Sequence, residues 1–155
     1  MPQLYLSLGS NEGDREALLH QAIDAIDRLI GPVGGIATFI ETEPWGFTSP
    51  HPFLNATLLL STELTPLELL DATQAIEREL GRRQKSDQAG YTDRPIDIDL
   101  LFYEDLILES PRLTLPHPLL HRRAFVLDPL LEIAPDLLHP ILGKTITELR
   151  AELDA

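Results

Sequence analysis

The chain has no cysteine, which excludes disulfides and thiolate metal sites and suits a reducing compartment. No stretch approaches 18 consecutive apolar residues, and the opening Met-Pro-Gln-Leu-Tyr-Leu lacks a basic region ahead of an apolar run. No membrane partner is expected, and the reading is a soluble, cytoplasmic protein. Basic residues are scarce: 12 Lys and Arg stand against 25 Asp and Glu, a formal net charge of −13. A nucleic-acid surface needs a basic patch to displace counterions, so that partner is not expected either. Internal repeats, low-complexity tracts and the P-loop pattern are also missing.

What is present is an apolar fraction of 43%, enough for one core and a single domain over residues 1–155. The few Lys and Arg are unevenly spread. Residues 82–123 hold seven of the twelve (Arg82, Arg83, Lys85, Arg94, Arg112, Arg122, Arg123) against seven acids, so this segment is neutral and the remainder carries the whole −13. Arg concentrated beside carboxylates suits a small polyanion bound with its metal, although ordinary surface salt bridges would look the same.

The carboxylates stand in Arg94-Pro95-Ile96-Asp97-Ile98-Asp99-Leu100-Leu101-Phe102-Tyr103. On a strand, Ile96, Ile98, Leu100 and Phe102 point to one side, while Asp97 and Asp99 share the other with Cα atoms about 6–7 Å apart. Two anions on an apolar-backed strand repel each other, and burial raises the cost, so the pair persists where a cation neutralises it. Mg²⁺ fits, because it takes one or two carboxylates and lets substrate phosphates complete its shell. A solvated acidic edge strand is the blander reading of an isolated Asp-x-Asp.

In chain order, Leu4, Leu6 and Leu8 alternate in a strand at 3–8, and Gly9-Ser10-Asn11-Glu12-Gly13 reads as a tight turn. Asp14 is the expected N-cap of a helix that Gly31-Pro32 stops. A second strand is expected over 35–42. The Pro- and aromatic-rich 43–52 segment, with the single Trp, reads as a ligand lid or as a loop that Trp45 pins to the core. Asn55 stands early in a third strand at 53–62, where a buried amide needs partners. Thr65-Pro66-Leu67-Glu68 has the form of a capping box, opening a helix with Gln74 and Glu77 on one polar side. A polar loop, the Asp strand, a broken extended passage at 106–115 and two helical runs follow. The order β-α-β-β-α-β matches a ferredoxin-like antiparallel sheet of the α+β class, with helices packed on it and extra helices at the C-terminal end.

Leu8-Gly9-Ser10-Asn11, Phe53-Leu54-Asn55, Gly81-Arg82, Arg94-x-Ile96-Asp97-Ile98-Asp99-Leu100, Pro116-His117-Pro118 and Arg123-x-Phe125-Val126-Leu127-x-Pro129-Leu130-x-Glu132-Ile133-Ala134-Pro135 occur in this order. Together they resemble the 6-hydroxymethyl-7,8-dihydropterin pyrophosphokinase family of the folate pathway, over about residues 4 to 140. The resemblance implies transfer of the terminal diphosphate of ATP to the pterin hydroxymethyl group, with release of AMP. It implies Asp97 and Asp99 as ligands of two Mg²⁺ ions, and Arg82 and Arg94 as catalytic arginines of a loop closing over ATP. It further implies ATP contacts from Gln74, Glu77, Ile98, Arg112, Thr114, His117 and Arg123. Phe53 and Phe125 would stack on the pterin, with Thr42, Glu43, Pro44, Trp45 and Asn55 around its polar edge. A monomer with these two small-molecule substrates is the expected state.

One departure concerns the lid. Family members often read Arg-Trp-Gly-Pro-Arg before the Asp pair, whereas this chain has Ala89-Gly90-Tyr91-Thr92-Asp93-Arg94. Tyr91 is the candidate for the missing Trp, and Gln84 or Lys85 stands where a further Arg is common. Two rival readings exist. Another two-metal phosphoryl or nucleotidyl transferase would keep the Asp pair but need no ring sandwich, and a non-catalytic ferredoxin-like binding module would need neither.

Overall fold

A computed structural model describes residues 1–81 and 93–153. Arg82, Gln84, Lys85 and Tyr91, expected in the lid, lie outside the described residues. The order of elements is β1 (Gln3–Ser10), α1 (Arg15–Leu29), β2 (Val33–Ile36), β3 (Ile40–Thr42), β4 (Phe53–Ser61), α2 (Pro66–Glu79), β5 (Asp97–Tyr103), β6 (Leu108–Glu109), β7 (Thr114–Leu115), a 3₁₀ turn (Leu120–Arg122), α3 (Ala124–Ile133) and α4 (Ile146–Leu153). It is a mixed α and β fold built on an antiparallel sheet in the order β2-β4-β1-β5, with β3 added to β4 and a separate β6-β7 hairpin.

The local signals act where they stand. Asp14 caps α1 by accepting the N–H of Ala17 at 3.1 Å. Thr65 and Glu68 close the capping box of α2, the Thr65 N–H donating to Glu68 Oε1 at 2.9 Å and the Glu68 N–H to Thr65 Oγ1 at 3.3 Å. Gly31 ends α1 and also lets β4 pass: a Cβ there would lie 1.8 Å from the Ser61 carbonyl oxygen. No side chain fits that space, so Gly31 is fixed by packing as well as by helix termination.

Alternation along the strands makes a two-faced sheet. Leu4, Leu6, Leu8, Ala56, Leu58, Leu60, Ile98 and Leu100 form one core with Leu19, Ile26, Leu69 and Ile76 of α1 and α2. On the other face Tyr5, Leu101 and Phe102 pack with Val126, Leu127 and Leu130 of α3 and with Ile146 and Leu149 of α4. Those two helices cover only one end of that face.

Two expectations are corrected. Phe102 does not share a face with Ile98 and Leu100, because the β1–β5 register shifts between Tyr5 and Leu6. Tyr5 pairs with Phe102 but Leu6 with Leu100, so Leu101 is an extra residue and the alternation inverts beyond it. The single strand expected over 35–42 is broken into β2 and β3. Between them the Thr38 N–H donates to the Glu132 carboxylate of α3 at 3.0–3.1 Å, with a further bond from Thr38 Oγ1 at 2.8 Å. A side chain 94 residues away thus takes the donor that a continuous strand would use.

Candidate active site

The end of the second face left open by α3 and α4 is a cleft of about 370 Å³. Its floor is the sheet: Ser7 and Gly9 on β1, Asn55 on β4, and Asp97 and Asp99 on β5. Asp97 lies opposite Gly9 and Asp99 opposite Ser7, so the uninterrupted alternation ahead of the Leu101 bulge turns both carboxylates into the cleft. Gly9, expected in a turn, belongs to β1. A Cβ on it would come within 3.2 Å of the Phe53 ring and 3.3 Å of Asn55 Oδ1, filling the floor.

Each carboxylate has an arginine. Arg94 Nη2 lies 3.6 Å from Asp97 Oδ2 and Arg123 Nη1 lies 3.9 Å from Asp99 Oδ2, distances of charge contact rather than hydrogen bonding. Both arginines are buried, at 9% and 7% exposure, and both lie against rings. The Arg94 guanidinium is 5.0 Å from the Phe53 centroid and 6.0 Å from that of Phe47; Arg123 is 4.5 Å from Trp45 and 5.6 Å from Phe125. Stacking restricts the two forks, so less conformational entropy is lost when they grip an anion.

Thr42, Glu43 and Trp45 form one wall; His117, Pro118, Leu119 and Phe125 form the other. Asn55 Nδ2 donates to Thr42 Oγ1 at 2.8 Å and to the Ile40 carbonyl at 3.3 Å, which leaves the amide oxygen as the group offered to a ligand donor. His117 Nδ1 accepts the Leu119 N–H at 3.1 Å, which fixes the ring in the cleft wall.

Several expected residues stand elsewhere. Pro44 does not line the cleft. Glu77 is buried on α2, where its carboxylate accepts the Ile98 N–H at 2.7 Å. That N–H belongs to the outer edge of β5, so Glu77 caps an edge strand from below rather than facing the cleft. Arg112 pairs on the surface with Asp71 of α2. Gln74, Thr114 and Ile98, with Glu77 and Arg112, sit on α2, β5, β7 and the β6–β7 turn, around the β5 edge beside the cleft. Ser7, Gly9, Pro118 and Leu119 were missed as cleft residues. For Ser7 and Gly9 the signal was present, since they alternate with Leu6 and Leu8 in β1.

Asp97 and Asp99 fit a magnesium site. No group of three or more His, Cys, Asp or Glu able to cage a metal occurs among the described residues. The two hard-oxygen side chains of Asp97 and Asp99 suit an ion that takes one or two carboxylates and completes its shell with water and substrate phosphates.

Residues 5–135 match the family model described as 7,8-dihydro-6-hydroxymethylpterin-pyrophosphokinase. The chain belongs to this family. It is 53% identical over 141 residues to the 2-amino-4-hydroxy-6-hydroxymethyldihydropteridine pyrophosphokinase of Porphyromonas gingivalis, covering 90% of this chain and 95% of the relative. To the Aquifex aeolicus protein of the same description it is 39% identical over 152 residues, covering 98% and 92%. A solved Plasmodium falciparum HPPK-DHPS chain superimposes with a TM-score of 0.80 at 16% identity, covering 97% of this chain. This chain spans only 43% of that longer one. At that identity the likeness carries the fold.

Proposed function

We propose that the chain transfers the terminal diphosphate of ATP to the hydroxymethyl oxygen of 6-hydroxymethyl-7,8-dihydropterin, releasing AMP, as a step of folate biosynthesis. The observation that carries this reading is a single cleft lined both by a carboxylate pair with two buried arginines and by aromatic rings beside an amide. Neither a phosphate site nor a ring site alone would need both.

The pterin lies between Phe53 and Phe125, with its polar edge toward Asn55, Thr42 and the 43–45 backbone. Ring stacking supplies area, and the buried amide supplies discrimination, because an analogue lacking the matching donor leaves it unpaired. The phosphates lie over Asp97 and Asp99 within reach of Arg94, Arg123 and His117, and the nucleoside lies along the β5 edge near Gln74, Ile98, Arg112 and Thr114. Glu77 holds that edge through the Ile98 N–H. Arg82, outside the described residues, is assigned to the phosphates by family resemblance alone. Two Mg²⁺ ions held by Asp97 and Asp99 would neutralise phosphate charge and align the displacement.

In the step itself the hydroxymethyl oxygen bonds to the β-phosphorus. The bond from that phosphorus to the oxygen bridging the α-phosphate breaks, its electron pair leaving with AMP. The hydroxyl gives up its proton, for which Asp97 in the same cleft is the candidate acceptor. Arg94 and Arg123 stabilise charge on the transferred group from positions fixed before the substrate arrives.

The strand order β2-β4-β1-β5 supports assignment to the ferredoxin-like βαββαβ type, with β2 and β3 as one broken strand. A single-domain monomer working in the cytoplasm completes the reading. Incubation with ATP, Mg²⁺ and the hydroxymethyl-dihydropterin should give AMP and the pterin diphosphate in equal amounts, read by chromatography. ADP as the nucleotide product, or no turnover, would overturn it.

A further inference from the structure

Asn11 is not among the residues lining the cleft, yet it is only 3% exposed and its side-chain amide is fully engaged. Its Oδ1 accepts the Arg94 N–H at 2.8 Å, and its own backbone N–H donates to the Arg94 carbonyl at 3.2 Å. Its Nδ2 donates to the His51 carbonyl at 3.0 Å and to Asp93 Oδ1 at 2.7 Å. Three segments distant in sequence meet here: the end of β1, the run into β5, and the close of the 43–52 loop. Two donors and one acceptor on so short a stem are what a primary amide provides, and a hydroxyl or carboxylate of similar size does not.

Each of the two bonded segments reaches both the charged and the aromatic groups of the cleft. Arg94 carries the guanidinium that faces Asp97 and lies over Phe53. The 43–52 loop carries Trp45, under Arg123, and Phe47, which packs edge-on against Phe53 with centroids 6.2 Å apart. Asn11 fixes the Arg94 backbone to the close of that loop, and the guanidinium itself lies 6.0 Å from the Phe47 ring centroid, so a displacement of either segment is felt by the other.

We propose that Asn11 is a positioning residue that couples the two halves of the cleft, so that occupancy of the phosphate side tightens binding on the ring side and the reverse. The inference rests on the reading that ATP and the pterin share this cleft. Coupling between sites is reciprocal and typically amounts to about 5–150-fold in affinity.

The test measures the pterin Kd by calorimetry with and without Mg²⁺ and α,β-methylene-ATP, whose α–β bridge cannot break. The native chain should bind the pterin about tenfold more tightly with the nucleotide analogue present. Asn11→Asp keeps the acceptor for the Arg94 N–H but sets a carboxylate against the His51 carbonyl and Asp93, and its ratio should fall to about one. The double change Asn11→Asp with Asp93→Asn restores a donor–acceptor pair and should recover part of the ratio. Asn11→Ser carries the same expectation if Asn11→Asp does not fold. A residue needed only for stability would lower the melting temperature and leave the ratio intact, which would overturn the proposal, as would a native ratio of one. Trp45, the single Trp, gives a readout without ligand: acrylamide should quench it more readily in Asn11→Asp. Failure of either ligand to bind the native chain would count against the proposed reaction, and unchanged quenching would count separately against the positioning role.

Discussion

The two faces of the sheet come from the same strands and differ by one residue in register. Beneath α1 and α2 the strands present Leu4, Leu6, Leu8, Ala56, Leu58, Leu60, Ile98 and Leu100, all buried. On the reverse, α3 and α4 close only the half carrying Tyr5, Leu101 and Phe102, and the other half keeps Ser7, Gly9, Asn55, Asp97 and Asp99 open to a cleft. Stability resides on the closed face, where burial of each large aliphatic side chain contributes roughly 1.5–3 kcal/mol. Chemistry resides where the helices stop. The Leu101 bulge marks the boundary on β5, because ahead of it odd positions offer carboxylates to the cleft, and at it two consecutive apolar residues turn to the same side.

Substitutions on the two sides should therefore separate activity from stability. Asp97→Asn is expected to lower kcat about 10³-fold, or ~4 kcal/mol, with the thermal melt within a few degrees of native. A matching collapse of the melt would show that the open half also holds the fold. Leu6→Ala, one strand away on the closed face, is expected to cost about 2–5 kcal/mol of unfolding free energy in a urea titration. Activity per folded molecule should stay near native; a selective loss of kcat would erase the division between the faces.

The smallest effect concerns His139 in the closed half. It is buried, edge-on to Phe102 with centroids 5.8 Å apart, and its Nδ1 accepts the N–H groups of Ile141 and Leu142 at 3.2 and 3.1 Å. Burial first, and the neighbouring His121 second, hold its pKa below the ordinary value of 6.5. The unfolded chain therefore binds more protons than the folded one as pH falls below about 6.5. The stability due to neutral His139 is complete above that value and is lost toward the lower folded pKa. Melting temperatures measured from pH 7.5 to 5 should fall less steeply in His139→Gln; an unchanged slope would remove His139 from the acid response.

What the sequence made legible was local. The Asp14 cap, the Thr65–Glu68 box and the pairing of Asp97 with Asp99 each depend on residues within a few positions of one another. The break between β2 and β3 was hidden because its cause, Glu132, lies far along the chain. The Leu101 bulge has no composition signal, so Phe102 was assigned to the wrong face. The resemblance places Glu77 near the nucleotide, and its bond to the Ile98 N–H could not be read from the sequence, because a polar helix position looks the same whatever it meets. Gly9, Ser10 and Asn11 read as a turn, whereas Gly9 and Ser10 end β1, Gly9 floors the cleft and Asn11 ties Arg94 to the ring-side loop.

The most direct measurement follows backbone amide shifts by NMR as Mg²⁺, α,β-methylene-ATP and the pterin are added together. The account expects large changes at Ser7, Gly9, Asn55, Asp97 and Asp99, and small ones at Leu58, Leu60, Leu101 and Phe102 on the same strands. Changes spread evenly over both faces, or confined to the closed ones, would contradict it.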